Sequence, residues 1–224
     1  DATLEMMDDS DLRARLREGI DWNIKSFMGS ADRVLMAAYG PDHGREGQRL
    51  DEIADEMGCD PAEAAIKLYE GGDASIIQFS LREDDMALIA RDPFISVASD
   101  GNSVRSEGPL SGGKPHPRSY GTFSRFLSEM RRDKGLVSLE EAVRKMCALP
   151  ASRLQLTRRG RVVPGCYADV VVFNPDTVQD TATFTDPHSY STGIDAVVVN
   201  GQVALENGTP TGVTAGRVVR SVGG

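Results

Sequence analysis

From Ser75 onward the order of apolar and polar positions changes character twice. Ser75-Ile76-Ile77-Gln78-Phe79-Ser80 is β-branched and aromatic, Glu83 to Ala90 repeats its apolar residues at helical spacing, and Phe94-Ile95-Ser96-Val97-Ala98-Ser99 is again an apolar run. The pattern predicts strand, helix and strand, a βαβ unit. Parallel strands of that kind are buried on both faces and need further strands and covering helices. Residues 1–75 do not obviously supply them, so the chain is expected to be part of a larger barrel.

Residues 1–75 read as mainly helical. Ser10 or Asp11 is suited to cap a helix through about Glu18, with Leu12, Leu16 and Ile20 on one face and Gly19 near its end. Arg33-Val34-Leu35-Met36-Ala37-Ala38 fits a strand or a helix, and periodicity does not separate the two. Leu50 to Met57 has helical spacing and stops at Gly58. Asp60-Pro61-Ala62-Glu63 then opens a helix to about Glu70, with Asp60 as cap, Pro61 at the first helical position and Glu63 completing a capping box.

Further along, Thr122 to Arg132 and Ser138 to Leu149 are predicted helices, the second with an apolar stripe at Leu139, Ala142, Val143, Met146 and Cys147. After Val162 the pattern shortens into strands: Ala168 to Phe173, Ala196 to Val199, Gln202 to Leu205 and Arg217 to Val222. Val199-Asn200-Gly201-Gln202 is a two-residue hairpin signal. This β module is assigned no catalysis.

The Phe94–Ser99 run stops at Asp100-Gly101. A buried barrel strand presents a catalytic or metal-binding carboxylate in this way, while Asp-Gly is also an ordinary turn signal. The loop from Asn102 to Tyr120 favours the first reading, because it holds three Gly, three Pro, three basic residues and a His, and loops of that length usually have a function.

Composition narrows the classes. A formal charge of −9 with dispersed basic residues excludes a nucleic-acid surface. No apolar run approaches the roughly 20 residues that span a bilayer, and Asp1-Ala2-Thr3-Leu4-Glu5 has no targeting pattern. A soluble protein without a membrane partner is expected. Cys59, Cys147 and Cys166 are far apart and odd in number, which points to a reducing, cytoplasmic setting. A catalytic zinc takes three protein ligands, whereas His43, His116 and His188 are scattered. A complete metal site within these residues is not expected.

In order along the chain, Ser99-Asp100-Gly101, His116-Pro117-Arg118, Gly121-Thr122-Phe123, Leu149-Pro150-Ala151, Arg159-Gly160 with Pro164-Gly165, Ala168-Asp169-Val170-Val171-Val172-Phe173, Ala182-Thr183-Phe184 and Val199-Asn200-Gly201 resemble the C-terminal half of the N-acyl-D-amino-acid deacylases, or D-aminoacylases, of the amidohydrolase superfamily. The resemblance covers most of residues 76–224. It implies an α/β fold: a partial TIM-type (β/α) barrel of the metal-dependent hydrolase kind, with a helical insertion and a C-terminal portion of a β-sandwich. The division it implies is 1–75 as the insertion covering the active site, 76–157 as the last βα units and following helices, and 158–224 as the sandwich portion.

The same resemblance implies a zinc-dependent hydrolysis of N-acyl-D-amino acids to a carboxylate and a D-amino acid. Asp100 is then both metal ligand and proton acceptor, the other zinc ligands coming from a missing N-terminal half. The start without Met agrees with an absent N-terminal part, and the 224 residues alone are expected to be inactive. His116 and Arg118 either orient the loop or bind the carboxylate of the small-molecule substrate. Arg33 matches a substrate-binding Arg in position, or is a solvated side chain. His43 and His188 read as surface groups and Trp22 as a packing anchor. Two alternatives stay open: a cyclic amidohydrolase of the dihydroorotase or hydantoinase kind, and a non-catalytic binding module on the same scaffold. Oligomeric state is not encoded legibly.

Overall fold

The structure, a computed structural model, describes residues 9–220. The reading of Asp1–Glu5 lies outside the described residues. The chain divides into two compact units, the first made of residues up to Leu81 with Arg105–His116 and Phe184–His188, the second of Arg82–Val104, Pro117–Thr183 and the residues from Ser189 onward.

The first unit begins with helix α1 (Ser10–Trp22). Its cap is Asp9, one residue earlier than expected, whose carboxylate accepts from the amides of Asp11 and Leu12 at 2.9 and 3.2 Å. The helix does not stop near Gly19. Ile20, Ile24 and Met28 continue an apolar stripe at four-residue spacing, and the chain follows it into a π-helical stretch, Asn23–Met28, that buries Ile24 and Met28 before Gly29 ends it at φ +92°. Trp22 faces solvent instead of anchoring the core.

Arg33 closes a short 3-10 turn, and strand β1 (Val34–Tyr39) follows, which settles that segment as a strand. Helix α2 (Leu50–Met57) ends at left-handed Gly58, as the sequence predicts. Helix α3 (Pro61–Gly71) is capped by the Asp60 carboxylate at 3.1 Å from the Glu63 amide. Glu63 does not close a capping box. Its carboxylate pairs with Arg13 at 2.7 Å, and Arg13 also meets Glu70 while Arg17 meets Asp60, so α1 and α3 are bridged by charge.

Strand β2 (Ala74–Gln78) pairs antiparallel with β1, from Val34 opposite Gln78 to Tyr39 opposite Ala74. One face of this ribbon meets Ile24, Met28, Leu50, Ile53 and Leu68. The other carries Leu35, Ala37 and Ile77 against Phe79 and Phe184.

In the second unit, helix α4 (Glu83–Arg91) is followed by a segment without regular structure that runs through Asp100. Helix α5 (Arg118–Arg125) passes into a π-helical stretch, Phe126–Asp133. Helix α6 (Leu139–Met146) starts at Ser138, whose hydroxyl accepts from the Glu141 amide at 3.2 Å, and α7 (Ala148–Arg153) follows. Ala90, Phe126, Leu127, Met130, Ala142 and Val178 form the core. The predicted stripe on α6 is rotated: Val143 and Cys147 are exposed, and Lys145 is buried in their place.

Strands β3 (Val170–Phe173), β4 (Ile194–Val199), β5 (Gln202–Glu206) and β6 (Thr209–Pro210) make one antiparallel sheet in sequence order. Asn200 and Gly201 sit at φ +48° and +80°, the conformation a two-residue hairpin requires. Residues 217–220 form no strand, and 221–222 of that expected strand lie outside the described residues.

The predicted βαβ unit is not formed. The β2 segment takes an antiparallel partner, and Phe94–Ser99 has no ladder among the described residues. A β-branched run becomes a strand only when a neighbour accepts its hydrogen bonds.

Candidate functional site

Asp100 sits at a position held from two directions. On its N-terminal side, α6 grips the preceding segment by backbone carbonyls. The Lys145 ammonium donates to Ile95 O at 2.7 Å and to Asp92 O, and Arg144 donates to Pro93 O at 2.5 Å. The carbonyl of Lys145 accepts from Val97 N at 3.2 Å, which satisfies one of the acceptors that the last turn of a helix leaves open. Asp92 turns the chain at the start by accepting from Phe94 N at 2.8 Å.

On its C-terminal side, the clasp is made by the start of α5. Asn102 N donates to Ser119 Oγ at 3.2 Å, and Gly101 N donates to Ser99 Oγ at 3.2 Å. Gly101 packs so closely on α5 that a Cβ there would lie 2.8 Å from Ser119 Cα, a backbone atom that has no room to yield. Between the clasps Asp100 adopts φ +48°, a left-handed conformation uncommon outside glycine and tolerated by Asp.

The Asp100 carboxylate is 85% exposed and meets Arg118 Nη2 at 2.9 Å. An exposed pair of this kind contributes little stability, while the planar guanidinium fixes the direction of the carboxylate. Lys145 is only 1% exposed. Burial pushes its ammonium below the ordinary lysine range, opposed by the nearby Glu141 and Asp92 charges. Glu141 in turn is held below the usual carboxylate range by the Arg144 fork, at 2.7 and 2.8 Å, against a smaller opposing effect of burial.

Of the four predicted site residues, the structure brings Asp100 and Arg118 together. His116 and Arg33 belong to the other unit. There the half-buried His116 ring packs edge-on to Phe184 with centroids 5.0 Å apart, and Phe184 meets Phe79 at 4.6 Å beneath the Arg49 guanidinium. Arg33 is partly exposed beside β1. His43 is a surface group paired with Glu46 at 2.8 Å. His188 is not: it is half-buried and donates to Gly113 O at 2.9 Å.

Arg144, Lys145, Ser99 and Ser119 were not legible as site residues. The signal for Lys145 was its spacing, three positions after Ala142 on the face that packs. Elsewhere, Arg159 and Asp169 turn out to be structural: Asp169 accepts from Asn200 N at 2.8 Å and pairs with Arg159, which also donates to Asn200 Oδ1 at 2.7 Å.

Among the described residues no three His, Cys, Asp or Glu side chains cluster as metal ligands. Asp100 offers one hard carboxylate ligand, suited to a single position of a zinc shell, and its Oδ2 meets Arg118. The described residues therefore do not compose a zinc centre by themselves. No helix among them is long and apolar enough to cross a membrane.

The profile of the amidohydrolase family matches residues 106–205. D-aminoacylase of Alcaligenes xylosoxydans xylosoxydans is 38% identical over 200 residues, which is 87% of this chain and 39% of that protein. Residues 106–205 thus carry the pattern of the amidohydrolase family. Within the family, a solved D-aminoacylase, studied for its binuclear metal centre, superposes with a TM-score of 0.77 at 38% identity, covering 88% of this chain and 39% of its own. N-acyl-D-glutamate deacylase of Bordetella bronchiseptica, solved with zinc and a phosphonate mimic of the tetrahedral intermediate, gives 0.73 at 34% identity, covering 89% and 38%. The chain thus spans about two fifths of the length of the relatives it matches.

Proposed function

We propose that this chain is the C-terminal portion of a zinc-dependent enzyme that hydrolyses N-acyl-D-amino acids to a carboxylate and a D-amino acid. The observation that carries the reading is the D-aminoacylase match at 38% identity over 87% of the chain, which includes the clasped Asp100 loop. In the full-length protein residues 1–75 form the helical insertion, 76–157 the last βα units of a TIM-type barrel, and 158–224 part of a β-sandwich. It works in the cytoplasm, and the remaining zinc ligands come from the N-terminal half.

Zinc, when bound, supplies the Lewis acidity that makes water nucleophilic near neutral pH. The contribution of this chain is a carboxylate in a fixed place. Asp100 accepts the proton of the attacking water and returns it to the leaving nitrogen, so that an amine and not an amide anion departs. Arg118 points that carboxylate. Arg118, His116 and Arg33 are proposed, each separately, as contacts for the substrate carboxylate, a role suited to a planar guanidinium fork.

The cyclic-amide and non-catalytic alternatives have no observation in their favour. Turnover of N-acyl-D-amino acids by the full-length protein, set against the L isomers and against cyclic amides, tests the reading. Preferential release of D-amino acids is the expected result. Hydrolysis of cyclic amides alone, or no hydrolysis with zinc present, would overturn it.

A further inference from the structure

Lysine is seldom buried, and a buried lysine needs acceptors for its ammonium. Lys145 finds them in two backbone carbonyls, those of Asp92 and Ile95: the residue is 1% exposed, and its side chain runs inside the second unit from α6 to the segment before Asp100. Its own carbonyl takes the Val97 amide, and its neighbour Arg144 takes Pro93 O. Four hydrogen bonds from α6 thus fall on residues 92, 93, 95 and 97, the backbone that leads into Asp100. This stretch has no strand ladder among the described residues to fix it.

The two clasps differ in kind. Ser99, Ser119 and Gly101 set the local shape of the loop around Asp100. Lys145 and Arg144 set where along α6 that loop begins. A carbonyl carries no side-chain identity, so the ammonium reads backbone at 92 and 95, and the grip demands a donor of the right length and charge at 145. A hydrogen bond to a charged donor is about twice as strong as a neutral one, and removing the donor frees the carbonyls of Asp92 and Ile95, both exposed residues, to turn to water.

We propose that Lys145, seconded by Arg144, is a positioning residue for catalysis, whose ammonium clamps the Asp92–Val97 backbone and so sets the place of the Asp100 carboxylate. The inference rests on the role given to Asp100 above. The clamp touches neither substrate nor reacting atoms, and its effect on turnover runs wholly through Asp100. Misplacement of a catalytic group by about 1 Å can cost on the order of a hundredfold in rate.

The test uses the full-length enzyme and measures kcat and KM for Lys145→Met, which keeps the length and bulk of the side chain without its donors, for Lys145→Arg, which restores a donor, and for Arg144→Met. The expected result for Lys145→Met is a fall in kcat of about a hundredfold, with KM and the melting profile close to those of the parent. Lys145→Arg recovers part of that kcat. Arg144→Met, at a more exposed position, lowers kcat by a smaller factor at unchanged KM.

A folded Lys145→Met enzyme with parental kcat overturns the proposal, as does a loss expressed in KM alone. Should Lys145→Met not fold, Arg144→Met decides: an unchanged kcat in that folded variant overturns the clamp. Asp100→Asn, assayed alongside, separates the two levels. Activity surviving in that variant removes the Asp100 reading itself, whereas an inactive Asp100→Asn beside a fully active Lys145→Met removes the clamp and leaves the reading in place.

Discussion

Ala74–Gln78 and Phe94–Ser99 carry much the same message in sequence, and the molecule treats them differently. The first is strand β2, because β1 offers it an antiparallel ladder, with one register shift between Met36 and Ala38, and Ile77 enters a buried face opposite Leu35. The second has as many β-branched residues and an aromatic besides, yet Phe94 is 74% exposed and the backbone is held by Lys145 and Arg144. Composition selects which segments can be strands. A partner decides which of them are, and residues 94–99 find theirs, under the proposed function, in barrel strands that the described residues do not supply.

The comparison can be broken most forcefully at Ile77. Ile77→Ala removes a buried side chain from the ribbon and is expected to cost about 2–4 kcal/mol, read as a shift in the urea midpoint. A smaller effect on stability, with a larger one on turnover, is expected at Gly101. Gly101→Ala forces the loop away from Ser119 and should cost about 1–3 kcal/mol, while kcat of the full-length enzyme falls further than the stability loss explains.

Next comes the acid behaviour of the grip. The Glu141 carboxylate, fixed by Arg144, titrates lower in the folded protein than in the unfolded chain. Its contribution is therefore fully present above the ordinary carboxylate range and is lost as pH falls through the folded value. Thermal melting of Glu141→Gln against the parent should show a gap that is constant near neutral pH and closes in acid. The smallest effect is at Phe94: in this chain Phe94→Ala should stay within about 0.5 kcal/mol. In the full-length protein the same substitution should cost about 3–5 kcal/mol if the segment completes a barrel, which sharpens the comparison into a direct test of that architecture.

Elements governed by local chemistry were legible. Gly58 after α2, Asp60-Pro61 before α3, Ser138 before α6 and the Asn200-Gly201 turn stand where their backbone preferences put them. Elements governed by tertiary partners were not. The π-helical continuation of α1 follows the burial of Ile24 and Met28, Glu63 leaves its capping box for Arg13, and Trp22 lies on the solvent side of α1. The site shows the same division. Asp100 and Arg118 stood out as candidates from an apolar run, an Asp-Gly step and a loop rich in Pro and Gly; the structure pairs their side chains, and their roles belong to the proposed function. Lys145 escaped because a charged residue in a helix reads as solvated until the packing shows its end buried among carbonyls.

The central claim is that Asp100 is the proton-carrying carboxylate of a D-amino-acid deacylase. Its most direct test is the turnover number of the full-length protein carrying Asp100→Asn, with an N-acyl-D-amino acid as substrate and zinc present. The account predicts a loss of about 10²–10⁴-fold or more, with the fold retained. A folded Asp100→Asn enzyme that turns over within about tenfold of the parent would contradict it.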